Sequence, residues 1–383
     1  MIAYKEIAQI KNVKGLNPVT GDYSYEENGR GYLYIDGVLL EKEEAASKIV
    51  SVGEYTYVRY NRYGTLEVYS GHTLLKVFER DIRLLDGDVG AYVGYRIYTP
   101  KTLDASENIL SISDGQPLLL HNVPYWLYKV GEEIIGYKIL ECKLSRLNYS
   151  GEVLWTFDLP LRPRSGEPDN LDKVLGIAQG LLWICSRWYR LIALDLETGK
   201  PVHQFSGGWF DEDHSNYIVL DSLGWCFFRE AEKTIVLISN FGVQILDATT
   251  AKIIEGYSFS EVDPQGIGAF EYFDAARLYG DCLTFIAQRH REAHGYRCAG
   301  IFDLKARQFS WIGDIISLEE KMSTGNHLIA QFPLQMAGNR LYIKDAENTL
   351  HIYQKEWRLK AQVRPQSEAT ASAVCATTPT VGR

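Results

Sequence analysis

Two histidines four residues apart form the pattern in this 383-residue chain that most resembles a metal site. The segment reads His290-Arg291-Glu292-Ala293-His294. On a helix such a pair shares one face and can ligate zinc. Strand candidates at 282–288 and 297–303 instead place the pair at a hairpin tip, and the glutamate is third rather than second. We therefore expect a solvated polar loop here and no metal.

A second segment combines aromatic rings with carboxylates. After Gly207 and Gly208 come Trp209, Phe210, Asp211, Glu212, Asp213 and His214. Carboxylates and a histidine can bind calcium or zinc, but the spacing matches no EF-hand loop. Aromatic anchors beside charge are typical of protein interfaces. The alternatives are an ordinary acidic loop and a recognition loop for a basic partner, and we carry the recognition loop forward as a partner-binding site.

Two arginines in the segment 161–169 make a third candidate. Arg162 and Arg164 flank a proline, and such a pair can hold a carboxylate or phosphate, although a surface linker is the simpler interpretation. We include both arginines among the partner-binding residues. No Gly-x-Ser-x-Gly elbow occurs, and Gly266-Ile267-Gly268 lacks the third glycine of a dinucleotide loop. The sequence therefore identifies no catalytic residue and no cofactor, and it favours binding over catalysis.

Composition excludes several other classes of function. The net charge of −9 disfavours a nucleic-acid binder, which needs a basic footprint for phosphates. No apolar run approaches the ~18 residues that span a bilayer, and the first residues lack a signal-peptide core. The six cysteines contain no C-x-x-C pair that would indicate a zinc site or a disulfide framework. We expect a cytoplasmic monomer that binds neither membrane nor nucleic acid.

A repeated strand–turn–strand pattern organises the chain. Residues 180–205 read as strand, tight turn, strand, Gly-containing turn and strand, and residues 232–257 repeat the order. Asp195 and Thr198-Gly199 supply turn chemistry, because Asp accepts bonds from nearby amides and Gly permits positive φ. The second turn of each copy recurs near residues 70, 114, 148, 195, 247, 303 and 353.

This spacing fits blade-sized units. A further strand candidate precedes each copy, so each unit has four strands, and stacking such sheets in a ring buries both of their faces. We predict an all-β chain forming a single β-propeller of about seven four-stranded blades, with eight blades as the alternative and a β-sandwich as the competing fold. Residues 1–44 close the ring or form a partial blade, 45–363 form the propeller, and 364–383 form a disordered tail.

One repeat resembles a known family. The segment from Leu191 to Lys200 is similar to the repeat of quinoprotein-like propellers, Ala-x-Asp-x-x-Thr-Gly-x-x-x-Trp, with His203 in place of the tryptophan. Asp247 to Lys252 is the nearest other copy. The resemblance implies a quinoprotein-like or WD-repeat-like propeller. It does not imply a quinone cofactor, because those enzymes are exported and many carry a vicinal cysteine pair, whereas this chain has neither feature.

The long connections between units are where function is expected. They lie at 158–173, 206–217, 258–268 and 312–330, and propeller geometry brings them out on one face. We predict a non-catalytic module that binds another protein, of basic character, through that face; an immunity protein that neutralises a toxin fits this description. The alternative is a propeller hydrolase or lyase acting on a sugar or small ester at the central channel, with Glu271 and Asp274 as the first candidates.

Removal of residues 364–383 should leave the thermal stability unchanged, because this Ala-, Thr- and Ser-rich tail offers little apolar surface to bury. Thermal melts of the full and shortened chains should agree within error. A fall of several degrees in the shortened chain would show that the tail packs against the ring.

Overall fold

The computed structural model describes residues 2–17, 19–52, 54–60, 65–79, 82–84, 93–97, 106–110, 125–162, 165–187, 190–206, 223–290, 295–319 and 335–357. Strands account for nearly all regular structure in these ranges. Helices α1 (Phe259–Val262) and α2 (Pro264–Ile267) have four residues each. None of the helices in the described ranges is long and apolar enough to cross a membrane. The tail predicted at 364–383 lies outside the described residues.

The first half of the chain forms four antiparallel sheets after an initial strand, β1 (Ile2–Ile10). Sheet 1 contains β2 (Val13–Leu16), β3 (Tyr23–Glu27), β4 (Arg30–Ile35) and β5 (Val38–Lys42). Sheet 2 contains β6 (Lys48–Val52), β7 (Tyr55–Arg59), β8 (Thr65–Ser70) and β9 (Thr73–Glu79). Sheet 3 contains β10 (Ile82–Leu84), β11 (Val93–Ile97) and β12 (Ser106–Leu110). Sheet 4 contains β13 (Trp126–Val130), β14 (Glu133–Lys138), β15 (Lys143–Leu147) and β16 (Val153–Asp158).

The second half forms four more. Sheet 5 contains β17 (Leu171–Ala178), β18 (Leu181–Ser186), β19 (Arg190–Asp195) and β20 (Pro201–Ser206). Sheet 6 contains β21 (Leu223–Arg229), β22 (Thr234–Ser239), β23 (Gly242–Asp247) and β24 (Lys252–Ser258). Sheet 7 contains β25 (Tyr272–Tyr279), β26 (Cys282–Gln288), β27 (Cys298–Asp303) and β28 (Gln308–Asp314). Sheet 8 contains β29 (Gln335–Ala337), β30 (Arg340–Lys344) and β31 (Leu350–Trp357), with β1 as its fourth strand.

Seven of these sheets have four strands, which confirms the prediction of a β-propeller with about seven four-stranded blades. The three described strands of sheet 3 add an eighth sheet to the ring. Within each sheet the strands pair in chain order, apart from β1. The first strands of neighbouring sheets contact one another, as β13, β17, β21 and β25 do in series, so the first strands line the centre.

The middle strands are buried along most of their length because neighbouring sheets cover both of their faces. Every residue of β22 is buried, from Thr234 to Ser239, and β18 buries Leu182, Trp183 and Ile184. The outer strand β24 instead alternates between exposed and partly buried residues. The core therefore lies between the sheets, as stacked blades require.

Tryptophans join neighbouring sheets by contacting the turn before the outer strand of the next sheet. Trp155 of sheet 4 donates its indole N–H to the Leu196 carbonyl of sheet 5 at 2.7 Å. Its ring also lies against Gly199, where an added Cβ would meet the ring at 2.5 Å. Trp183 of sheet 5 donates in the same way to the Ala248 carbonyl of sheet 6 at 2.9 Å. Each turn therefore serves as a contact surface for the preceding sheet.

The turns themselves have the predicted chemistry. One carboxylate oxygen of Asp195 accepts the backbone N–H of Thr198 at 2.8 Å and its hydroxyl at 2.7 Å. Asp247 binds Thr249 in the same way, at 2.7 and 2.6 Å. These hydrogen bonds hold the pKa of both carboxyls below the ordinary value.

The N-terminal strand completes the last sheet. β1 pairs antiparallel with β31 from Ile2 opposite Trp357 to Ile10 opposite Leu350. The residues that follow, from Val13 to Lys42, form all four strands of sheet 1. The N–H of Val13 donates to the Asn348 carbonyl at 2.8 Å, which links sheet 8 to sheet 1. Residues 1–44 therefore contribute to two sheets.

A buried histidine bridges the paired strands β1 and β31. His351 of β31 is 5% exposed, and its Nδ1 lies 2.7 Å from the carboxylate of Glu6 on β1. Its Nε2 lies 3.3 Å from the buried carboxylate of Asp345, which also accepts the N–H groups of Glu347 and Thr349. Burial lowers the pKa of His351, but hydrogen bonds to Asp345 and Glu6 outweigh it, so the pKa is raised.

His351 should therefore contribute more to the stability of the folded ring in mild acid than in mild base. A raised pKa in the folded state contributes stability that is fully present below the unfolded value of about 6.5 and is lost as the pH rises through the folded value. We expect His351→Gln to lower the unfolding free energy by about 1–3 kcal/mol near pH 6 and by less near pH 9. Urea denaturation at both pH values measures this difference.

The exposed His72, whose Nδ1 lies 3.5 Å from a carboxylate oxygen of Asp36, is the matched control. His72→Gln should change the unfolding free energy little at either pH. A destabilisation by His351→Gln that is constant with pH would contradict the bridging role of the charged imidazole.

Candidate partner-binding face

One end of the sheets carries both kinds of connection that could form a binding surface. In an antiparallel series of strands, the turn between the second and third strands lies at the same end as the connection to the next sheet. Backbone hydrogen bonds of 2.8–3.1 Å join these turns to these connections. The N–H groups of Leu159, Arg187 and Phe259 donate to the carbonyls of Cys142, Asn170 and Phe241, respectively. We call this end the connection face.

The connection between sheets 4 and 5 forms a small hairpin on this face. Leu161 and Pro168 form an isolated antiparallel bridge, and the N–H of Arg162 donates to the Glu167 carbonyl at 2.8 Å. The Arg162 guanidinium lies 3.2 Å from the Glu167 carboxylate. The predicted binding residue Arg162 is thus part of an ion pair within its own hairpin, where Glu167 is the more exposed partner.

A buried polar group holds the base of this hairpin. The hydroxyl of Tyr137 donates to the side-chain oxygen of Asn170 at 3.1 Å and accepts the N–H of Leu171 at 3.2 Å. The thiol of Cys142 donates to the same Asn170 oxygen at 3.5 Å. Because Tyr137 and Cys142 belong to sheet 4 and Leu171 begins sheet 5, these bonds fix the connection to both sheets.

Large apolar side chains project from the same region into solvent. Leu140, in the turn between β14 and β15, is 99% exposed, and its neighbour Ile139 is also exposed. Leu161, in the hairpin, is 59% exposed. The turn that carries Leu140 is closed by the N–H of Cys142, which donates to the Ile139 carbonyl at 3.3 Å. Leu140 therefore buries almost no surface within the chain, and Ile139 and Leu161 are partly accessible to a partner.

An exposed aromatic ring lies further along the connection face. Phe241, in the turn between β22 and β23, is 70% exposed. Its carbonyl accepts the N–H of Phe259, the first residue of α1. A capping box begins that helix, in which the Ser258 hydroxyl accepts the Glu261 N–H and the Glu261 carboxylate accepts the Ser258 N–H.

The loop predicted to bind a partner lies outside the described residues. This applies to Trp209, Phe210, Asp211, Glu212, Asp213 and His214, and also to Arg164. The role of these residues therefore stays a prediction. Of the histidine pair, His290 is described and His294 is not.

The two candidates for channel chemistry occupy the start of sheet 7. Asp274, on β25, accepts the Tyr296 hydroxyl at 3.2 Å and the Ala275 N–H at 2.6 Å. Glu271 is exposed just before β25, and its N–H donates to the Gln288 carbonyl. Within the described ranges, no three His, Cys, Asp or Glu side chains come together as metal ligands.

An ion-pair group stabilises the neighbouring part of the face. Asp314, at the end of β28, lies 2.7 Å from the guanidinium of Arg289 and 2.7 Å from that of Arg297. Burial raises the pKa of this carboxyl, but the hydrogen bonds and charges of the two arginines outweigh it and hold the pKa below the ordinary value. Both arginines are therefore engaged in holding the ends of β26, β27 and β28 together.

The sequence reasoning did not select Leu140 or Phe241. A signal was present, since each is a large apolar residue inside a turn, where polar residues and glycine prevail. The exposed fraction of such a residue depends on what neighbouring turns cover, which the strand pattern alone does not show.

Comparison with solved structures agrees with the fold. The C-terminal WD40 domain of Sif2 has a TM-score of 0.55 at 13% identity, covering 92% of this chain and 98% of that one. Sqt1 of Saccharomyces cerevisiae has a TM-score of 0.52 at 11% identity, covering 92% and 97%. The computationally designed Ika8 protein has a TM-score of 0.51 at 12% identity, covering 90% and 96%.

At these identities the likeness shows a shared fold, and the chain is a β-propeller similar to these structures. No protein-family model matches the chain, and no curated protein matches it.

Two substitutions on the connection face should separate its buried base from its exposed surface. Tyr137→Phe leaves the Leu171 N–H and the Asn170 oxygen without this partner and should cost about 1–3 kcal/mol of unfolding free energy. Leu140→Ser acts on a solvated side chain and should change it by less than about 0.5 kcal/mol. Urea denaturation measures both, and an equal loss for Leu140→Ser would mean that this residue is packed.

Proposed function

We propose that this protein is a non-catalytic β-propeller that binds another protein through its connection face. The observation that carries the proposal is the placement of Leu140, Leu161 and Phe241, which project into solvent from turns and connections at the same end of the sheets. Covering such side chains removes apolar surface from water, and this is the main source of affinity at protein interfaces.

The turns that carry these side chains are held in place before any partner arrives. Leu159 of the 159–170 connection donates to the Cys142 carbonyl beside Leu140, and Phe259 donates to the Phe241 carbonyl. A surface already ordered loses less conformational entropy on association than a mobile loop does. Rigid sheets with functional side chains on their connecting loops are a common arrangement for binding.

The acidic character of the chain bears on the partner. Its net charge is −9, and the 207–214 loop carries three carboxylates beside two aromatic residues. These features support a basic partner, because complementary charge speeds encounter and orients the two surfaces. An immunity protein that covers a toxin in the cytoplasm, acting as a monomer, is the specific role that we propose within this class.

We also propose that the blades are of the quinoprotein-like kind. The support is the Asp195 and Asp247 turns, together with the docking of Trp155 against Gly199 and the Leu196 carbonyl. The proposal concerns the architecture of the repeat and carries no cofactor.

Affinity capture tests the proposed binding face. Tagged wild type and the double variant Leu140→Ser/Leu161→Ser are each incubated with lysate of the native organism, and captured proteins are quantified by mass spectrometry. The matched control is Val19→Ser, since Val19 is 65% exposed in the turn between β2 and β3, at the opposite end of the sheets.

We expect wild type and Val19→Ser to capture equal amounts of a partner. The double variant should capture about tenfold less of it. A partner captured equally by all three proteins would place the binding surface elsewhere. Reaction of the purified protein with sugar or ester substrates would instead favour the hydrolase alternative.

A further inference from the structure

Phe241 is exposed, but the turn that carries it is fixed by several hydrogen bonds. The Ser239 hydroxyl accepts the N–H of Phe241 at 3.1 Å and that of Gly242 at 3.3 Å. The side-chain oxygen of Asn240 accepts the N–H of Phe273, in sheet 7, at 2.9 Å. A Cβ on Gly242 would lie 2.3 Å from the Tyr257 carbonyl oxygen, so the backbone approaches closely here. The turn is bonded to its own sheet and to the next one.

The neighbouring aromatic residues are buried, which makes the exposure of Phe241 more informative. Phe259, Phe270 and Phe273 all lie in the core between sheets 6 and 7. The turn places Phe241 outside that core, although Phe259 and Phe273, whose N–H groups donate to this turn, are inside it. Fold stability therefore gains little from this ring, while a partner that covers it gains a rigid apolar contact of the kind that dominates interface energies.

Two exposed carboxylates lie on the connection between sheets 6 and 7, which is bonded to the Phe241 turn through Phe259 and, just beyond it, through Phe273. Glu261 lies two residues after Phe259, and Glu271 lies two residues before Phe273; both are exposed. Within the described part of the chain, neither glutamate forms an ion pair with a basic side chain, whereas Arg289 and Arg297 nearby are held by Asp314. The connection bonded to the Phe241 turn therefore offers two exposed carboxylates to a cationic group.

Resting on the proposed function, we infer that Phe241, Glu261 and Glu271 form an anchor site for a basic segment of a partner protein. The ring packs against an apolar side chain or the aliphatic stem of a lysine or arginine. The two carboxylates receive the cationic groups beside it. The occupant is a peptide segment that carries Lys or Arg next to an apolar residue.

A phage-displayed library of random peptides, selected on the immobilised wild-type protein, tests this inference without knowledge of the natural partner. We expect the selected sequences to be enriched in Lys and Arg beside an apolar residue. A synthetic peptide of the selected sequence should bind Phe241→Ala about thirtyfold more weakly than wild type. Glu261→Gln/Glu271→Gln should bind it more weakly at low salt and show less dependence on salt.

The controls are chosen to leave the fold intact. Gln at 261 can still accept the Ser258 N–H, so the capping box survives the substitution. Val19→Ser and Glu230→Gln/Glu232→Gln change an exposed apolar residue and exposed carboxylates at the opposite end of the sheets, and both should bind the peptide as wild type does. Thermal melts of Phe241→Ala should match those of wild type, because the ring is largely exposed.

Acidic or uncharged selected peptides, equal binding to Phe241→Ala, or no enrichment above a blank surface would each overturn the anchor site. Peptides that Phe241→Ala still binds but Leu140→Ser/Leu161→Ser does not would overturn it while leaving the proposed function in place. Peptides that bind every connection-face variant as well as they bind wild type would overturn both the anchor site and the proposed function.

Discussion

The pairing of β1 with β31 is the constraint on which the ring depends. Eight sheets in a circle bury their faces only if the last sheet is complete, and β1 supplies its outer strand from the other end of the chain. The pairing runs from Ile2 to Ile10, and Tyr4 of β1 also packs against Trp311 of sheet 7 with ring centres 5.3 Å apart. Without β1, β31 would present an unpaired edge and this contact with sheet 7 would be lost.

The same stacking explains why the connection face can carry a binding surface. Each sheet fixes the next through specific contacts, such as Trp155 on the Leu196 carbonyl and the Asn240 side chain on the Phe273 N–H. The turns between strands therefore have little freedom of their own. Apolar side chains on such turns lie in solvent in the folded ring, where they are accessible to a partner.

Much of the fold was predictable because its signals are local. The Asp195 and Asp247 turns and the strand spacing depend on residues close in sequence, and they led to the correct class of fold. The role of residues 1–44 was left open between ring closure and a partial blade, because a strand pattern does not select between sheet edges far apart in the chain. The Arg162–Glu167 ion pair was missed for a related reason, since it depends on the hairpin that the Leu161–Pro168 bridge closes. The exposure of Phe241 depends on contacts with sheet 7, which sequence periodicity does not describe.

Because β1 pairs with β31, the ring can close only after both strands have been synthesised. Glu6 is synthesised 345 residues before its hydrogen-bond partner His351. At about 5–20 residues per second, β1 waits tens of seconds for its neighbour in the last sheet. During that time sheets 1 to 7 can stack from the N-terminal side, while both ends of the nascent row stay open. The final step pairs β1 with β31, so a ribosome that stalls shortly before β31 leaves an open arc with an unpaired β1.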